Sequence, residues 1–345
     1  MLQMIHPKKT FLKIRVSAWL CCFMAGSLLT ACGSNAQNHT VSPEQPVSVA
    51  AVSDSSANTK SKESGAVPSG ERTVIDELGH EVIVPAAPKN IFAPNMEDSL
   101  LKLGVKPVAQ WSNGNRGHEY LQEELKDVPK LDLSAGLPSP EVLMSYNPDL
   151  IILHTATYDK DGAYENYSKI APTYVFKNAS GDIEKSLVTL GELLGKSAEA
   201  EQALQAYREK VKEAKEKLEQ AAGDKKVAIF RFAPRGVSLM GGNYLCGYVV
   251  HKDLGLGISK LVENENSANV SLEILPELDA DYIFMLNAYD MGNERMKEMT
   301  ESPIWKSIPA VKKGRVVEVD NTYWLGSGLI AYEKIIDDTV RFLTR

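Results

Sequence analysis

The chain has 345 residues, a formal net charge of −7, 43% hydrophobic and 24% charged residues, a globular balance that excludes wholesale disorder. Its length suggests two domains or lobes. Its acidity argues against broad phosphate-backbone binding, which needs clustered Lys and Arg, and four cysteines are too few for a disulfide framework to carry the fold.

The chain opens on an export signal. Lys8, Lys9, Lys13 and Arg15 precede an apolar run over residues 16–29, whose 14 residues fall short of the roughly 20 that span a bilayer as a helix. The run ends in Leu29-Thr30-Ala31-Cys32, which resembles a bacterial lipobox. That resemblance implies removal of residues 1–31 and acylation of Cys32, whose acyl chains supply the hold on the membrane. Losing four basic residues moves the net charge from −7 to −11 and leaves Cys246 as the one free thiol, so no internal disulfide can form. Residues 32–70 are rich in Ser, Ala, Asn, Val and Pro without helical or strand periodicity, and read as a flexible tether.

From residue 71 onward the pattern is that of a folded protein. Residues 72–84 read as a hairpin with Gly79 at its turn. Strand-like pieces at 91–93, 108–110, 150–153 and 173–176 alternate with helical ones at 96–103, 120–125, 139–146 and 164–170, which predicts a parallel sheet covered on both faces. A helical stretch over 181–221 is punctuated by Gly195-Lys196; its second half carries Leu204, Tyr207, Val211, Ala214 and Leu218 as one apolar stripe. Strands at 227–231, 282–286 and 315–319 then alternate with helices at 247–253, 272–278, 295–301 and 329–343. The expected division is an N-terminal α/β lobe over 71–195, a connecting helix over 196–223 and a C-terminal α/β lobe over 224–345.

An internal echo supports two related lobes. Ser139-Pro140-Glu141-Val142-Leu143, followed by Pro148-Asp149-Leu150-Ile151-Ile152, matches Ser271-Leu272-Glu273-Ile274-Leu275, followed by Ala280-Asp281-Tyr282-Ile283-Phe284, at an offset of 132 residues. In each copy a Ser and a first-turn Glu suit a helix N-terminus, and an Asp precedes a buried strand.

Enzyme constellations are missing: the chain has no GxSxG, no HExxH and no GxxxxGK[ST]. His6, His39, His80, His118, His154 and His251 are scattered singly, without metal-ligand spacing.

The segment 72–84, Pro88-Lys89-Asn90-Ile91, the run 98–107, Pro148-Asp149-Leu150-Ile151-Ile152, the run 167–172, the run 302–316 and the Trp324 segment, in that order, resemble iron-chelate substrate-binding proteins of bacterial ABC importers. The resemblance covers about residues 71–345. It implies an α/β fold of two Rossmann-like lobes bridged by a single long α-helix, the helical-backbone periplasmic-binding-protein fold, with ligand in the cleft between lobes. It implies no catalysis and no cofactor besides the lipid on Cys32, because iron is held by the siderophore. The implied partners are a ferric siderophore, an ABC permease dimer with its cytoplasmic ATPase, and the outer face of the cell membrane; nucleic acid is not among them, and the protein itself is expected to be a monomer. Glu141 and Glu273 match the positions that dock onto permease arginines, one from each lobe.

Within such a cleft, ligand-facing positions are loops just after strands. Arg231 ends an apolar strand and Trp324 matches an aromatic contact position. Tyr244 stands where some relatives place Trp, while Trp111, Arg116, Arg235 and Tyr158 are chosen by loop position. Few basic residues and several aromatics favour a hydroxamate or mixed hydroxamate–carboxylate chelate. Haem or cobalamin is the alternative ligand, haem asking for an axial residue such as His154 or Tyr158. An extracellular lipoprotein hydrolase is the remoter alternative.

Overall fold

The structure, a computed structural model, describes residues 70–160 and 162–344. The expected signal, the tether up to residue 69 and the lipidation residue Cys32 lie outside the described residues. All that is described belongs to one compact unit, Ser64–Arg345.

The first half builds three small sheets. Strands β1 (Arg72–Ile75) and β2 (Glu81–Val84) form the expected antiparallel hairpin. Strand β3 (Ile91–Phe92) lies in a parallel sheet of order β3-β6-β7, while β4 (Gln110–Ser112) pairs in parallel with β5 (Lys130–Asp132). Strands β6 (Leu150–Leu153) and β7 (Thr173–Val175) complete the central sheet. All four residues of β6 are buried because both faces are covered: Leu150 and Ile152 join one apolar cluster, Ile151 and Leu153 another.

The second half is a single mixed sheet. Strands β8 (Lys226–Ala233), β9 (Gly236–Met240), β10 (Gly257–Ile258), β11 (Ser267–Val270), β12 (Tyr282–Asn287) and β13 (Val316–Glu318) run in the order β11-β9-β8-β12-β13, with β10 beside the start of β8. β8, β12 and β13 are parallel, but β9 pairs antiparallel with both β8 and β11. The three strands expected in this half, at 227–231, 282–286 and 315–319, are the parallel ones; antiparallel β9 and β11 are not among the expected strands. Val237 and Leu239 of β9 are buried, whereas Ser267 and Asn269 of β11 are exposed, as suits an edge strand open to solvent on one face.

The echo has a structural counterpart. Asp149 donates its N–H to the Asn90 carbonyl at 2.9 Å and accepts the Asn90 N–H on its carboxylate at 2.9 Å. Asp281 does the same with Lys226, at 2.8 and 3.1 Å. In both lobes one Asp therefore fixes the register of two parallel strands, Ile91 opposite Leu150 and Val227 opposite Tyr282. The helix expected at 272–278 is reduced to a turn and a 3₁₀ segment, Leu275–Glu277. Pro276 has no N–H to continue an α-helix. The helix expected at 247–253 is a short α-turn, Leu245–Gly247, followed by a π-helical turn, Tyr248–Asp253.

Helix Ser197–Ala221 connects the halves and is about 37 Å long. Gly195, at φ +67, ends the preceding helix Ile183–Leu194 and turns the chain into it. Leu204, Tyr207, Ala214 and Leu218 are buried along the stripe and Val211 packs beside them. Their cluster takes in Ile91 and Leu150 of the first lobe and Val227 and Leu286 of the second, so one core runs through both. Closing helix Leu329–Leu343 packs on the connecting helix and on Glu97–Lys102 of the first lobe.

Candidate functional site

A cavity of about 370 Å³ lies between the lobes. Its walls come from the ends of parallel strands and the loops leaving them: Asn95 after β3, Trp111 and Arg116 in and after β4, His154 after β6, Tyr289 and Asp290 after β12, and Asn321 after β13. Tyr244 and Leu245, beyond β9, complete the second lobe's wall. Ligand crevices of α/β sheets form at these strand ends because loops there are free of the sheet and face a common opening. A smaller cavity of about 160 Å³ adjoins, sharing Ser180, Tyr244 and Leu245, with Tyr207, Tyr248 and Tyr332 also on its wall.

Backbone conformation marks the same wall. Asn95 (φ +64), Leu245 (φ +48), Tyr289 (φ +54) and Asp290 (φ +57) are four of the five non-glycine residues in the left-handed region among the described residues, and all four line the cavity. Each such residue costs about 1–3 kcal/mol unless its surroundings hold it. Asn287 accepts the Gly292 N–H at 2.8 Å, and Asn321 donates to the Asp290 carboxylate at 2.8 Å, so the Tyr289–Asp290 turn is held from both sides.

The first lobe's floor is polar and buried. Glu97 is fully buried; its Oε1 accepts the Trp111 N–H at 2.6 Å, while Oε2 lies 3.4 Å from His118 Nε2 and has no hydrogen-bond partner. His118 lies against Trp111, ring centroids 5.0 Å apart, and edge-on to Tyr120. His154 hydrogen-bonds the Pro94 carbonyl, and burial, partly offset by Glu97, holds its pKa down at about 4. Its Nδ1 is buried without a partner.

Several side-chain ties join the lobes, two of them on the cavity wall. The Arg116 guanidinium donates to the Tyr289 carbonyl. Ser180 and Ser327 hydroxyls meet at 3.1 Å, and Lys102 pairs with Glu333 at 2.6 Å. Asp98, buried in the first lobe, accepts the Ile330 and Ala331 N–H groups of the closing helix at 3.0 and 2.9 Å and the Tyr120 hydroxyl at 3.0 Å.

The expected site residues divide accordingly. Trp111, Arg116 and Tyr244 line the cavity. Tyr158 sits behind the wall, edge-on to His154 with centroids 5.0 Å apart, and opens instead onto a surface depression beside Pro138 and Tyr167. Arg231, half-buried on β8 opposite Ser238 and Leu286, is off the wall; its charge opposes the burial that pushes the Cys246 thiol up to about 12. Arg235 is exposed at the β8–β9 turn, in a separate depression shared with Glu273 and Arg295.

Trp324 is a core residue, correcting its expected place in the cleft: it is 0% exposed, donates its indole N–H to Asp338 at 3.0 Å and packs edge-on against Phe284. Its helix Asn321–Trp324 sends Asn321 and Thr322 to the cavity instead. Glu141 and Glu273 are both exposed; the Glu141 carboxyl is held below the usual range by its own N–H and the Ser139 hydroxyl.

Sequence reasoning misses the Glu97–His118 pair, Ser180 and Ser327. The pair is joined across 21 positions by folding alone. Ser327, between Gly326 and Gly328 at the mouth of an apolar helix, carries the one visible signal. Among the described residues no group of three or more His, Cys, Asp or Glu is arranged to hold a metal ion.

Comparison with known proteins places this geometry among relatives. The family described as periplasmic binding protein matches residues 94–323. The probable siderophore-binding lipoprotein YfiY of Bacillus subtilis is 27% identical, over 85% of this chain and 94% of its own. The iron(3+)-hydroxamate-binding protein FhuD of the same organism is 27% identical, over 86% and 95%. Among solved structures, Staphylococcus aureus SirA complexed with staphyloferrin B superposes with a TM-score of 0.68 at 26% identity, covering 79% of this chain and 98% of SirA.

Proposed function

The chain belongs to the periplasmic binding protein family, and on that premise we propose that it captures a ferric siderophore outside the cytoplasm and delivers it to an ABC permease. It acts by binding, with the iron carried as cargo in the siderophore's own coordination shell. The wall of the interlobe cavity carries this reading. Trp111, Tyr244 and Tyr289 offer aromatic surface, while Arg116 is the single Lys or Arg on the wall, against the carboxylates of Glu119 and Asp290. A wall so poor in cations suits a neutral or weakly charged chelate, so the ligand class is a ferric hydroxamate or mixed hydroxamate–carboxylate rather than a triscatecholate or a citrate complex. The relatives named for iron-hydroxamate and siderophore binding support the same class. Haem asks for an axial ligand on the wall. Of the two axial candidates, Tyr158 sits behind the wall and opens onto a separate depression, which disfavours that role for it.

Cys32 anchors the protein by its acyl chains, and Glu141 and Glu273, exposed on different lobes, dock onto basic permease sites. Titration with ferric hydroxamate, ferric triscatecholate and ferric citrate tests the ligand class; the hydroxamate binds at least about tenfold tighter, and tighter binding of either other chelate overturns it. Glu141→Ala combined with Glu273→Ala leaves that affinity within about twofold while abolishing iron uptake by cells. Loss of affinity instead places those carboxylates in the fold or the cleft.

A further inference from the structure

Two buried acceptor atoms of the first lobe lack a donor: Glu97 Oε2, which lies behind the cavity wall against His118, and His154 Nδ1, whose ring is on that wall. Buried polar atoms are almost always paired, so one orphan on the wall and a second just behind it point to a group that arrives from the cavity. The state of each atom is fixed by its neighbours. Burial holds the His154 pKa down at about 4, so the ring is neutral at physiological pH and one of its nitrogens carries a lone pair; the unpartnered Nδ1 is the one able to accept from a ligand. Glu97 commits Oε1 to the Trp111 N–H. Its Oε2 has only His118 Nε2 at 3.4 Å, longer than a normal N–H···O bond and so readily exchanged for a better donor.

The electrostatics of the surroundings agree. Glu119 and Asp290 add carboxylates to the wall, and Lys130, which faces Glu119 at 3.4 Å, is not on it. The guanidinium of Arg116 is engaged by the Tyr289 carbonyl. Trp111, on the same wall, presents an aromatic surface favourable to a cation.

We propose that Glu97, His118 and His154, beside Trp111, form a subsite for a protonated primary amine carried on an arm of the chelate. The ammonium donates to His154 Nδ1, Glu97 supplies the counter-charge from beneath, and His118 yields its place at Glu97. The inference rests on the chelate reading of the cleft and adds to it a specific feature of the ligand.

The test compares one ferric hydroxamate bearing a free terminal amine with the same chelate N-acetylated, by calorimetry at neutral pH. The native protein binds the amine form at least about tenfold tighter. Glu97→Gln, which keeps an oxygen for the Trp111 N–H, reduces that preference below about threefold while binding the acetylated form within about threefold of the native protein. Equal affinity for the two chelates in the native protein overturns the subsite, as does a preference that survives in Glu97→Gln. n-Pentylamine alone separates the two readings. If neither chelate binds, the chelate reading fails, and the subsite stands only if n-pentylamine shifts the imidazole NMR signals of His118 and His154; unshifted signals overturn it as well.

Discussion

At Asp98 donors from both halves of the fold converge on one buried carboxylate: the Ile330 and Ala331 N–H groups and the Tyr120 hydroxyl. Burial outweighs these three bonds and raises its pKa from 3.8 to about 6. Between those values the folded state binds the proton more readily than the unfolded chain. Asp98 therefore contributes stability that is full below pH 3.8 and is lost as pH rises through 6. His154 has the opposite sign: burial lowers its pKa from 6.5 to about 4, so its contribution is present above pH 6.5 and fades as pH falls toward 4. The two slopes oppose each other across the same window. Asp98→Asn removes one of them, and urea unfolding across the window between the two Asp98 values then shows a steeper loss on acidification than in the native protein, by an amount on the order of 2 kcal/mol. Parallel profiles for the two proteins contradict this assignment. At this scale the sequence is readable only in part. Trp111, Arg116 and Tyr244 are legible because loops after strands face clefts. Trp324 is misread because its partner Asp338, 14 positions on, becomes visible only when the closing helix folds back onto it.

Among elements, the closing helix Leu329–Leu343 is the one that joins the lobes most directly, and its entry depends on Gly328. That residue has φ +146, and a Cβ there would lie 2.2 Å from the Asp98 carboxyl carbon. Gly328→Ala pushes Asp98 off the helix N-terminus and costs at least about 2 kcal/mol in urea unfolding, through both backbone strain and the lost cap. Native-like stability contradicts the proposed cap. The apolar stripe of the connecting helix and the parallel core strands can be read from periodicity, since both are set by burial of long runs. The antiparallel pair β9 and β11 cannot, because β11 is a half-exposed edge whose Ser-Ala-Asn-Val carries little apolar pattern. The echoed sequence overstates helix 272–278: at the offset of 132, Pro276 stands where the first copy has Met144. The first copy's own proline, Pro140, sits at the first helical position, where a missing N–H costs nothing. What the echo does carry is Asp149 and Asp281, whose strand-fixing role is the same in both lobes.

For the whole molecule, one apolar core passes from the first lobe through the connecting helix into the second. Such a continuous core resists large hinge opening, because separating the lobes would expose buried apolar surface. Ligand capture is then expected to rest on a largely preformed cleft, adjusted by the Arg116–Tyr289 and Ser180–Ser327 contacts between its walls. The chain's net negative charge is spread over a surface on which Glu141 and Glu273 stand exposed, one on each lobe. The central claim, that this cleft takes a ferric chelate, is tested most directly by tryptophan fluorescence. Titration with a ferric hydroxamate gives saturable quenching, much weaker with the iron-free siderophore and diminished in Trp111→Phe. An absence of saturable quenching with every ferric chelate tried, or an equal response to the iron-free form, contradicts the account.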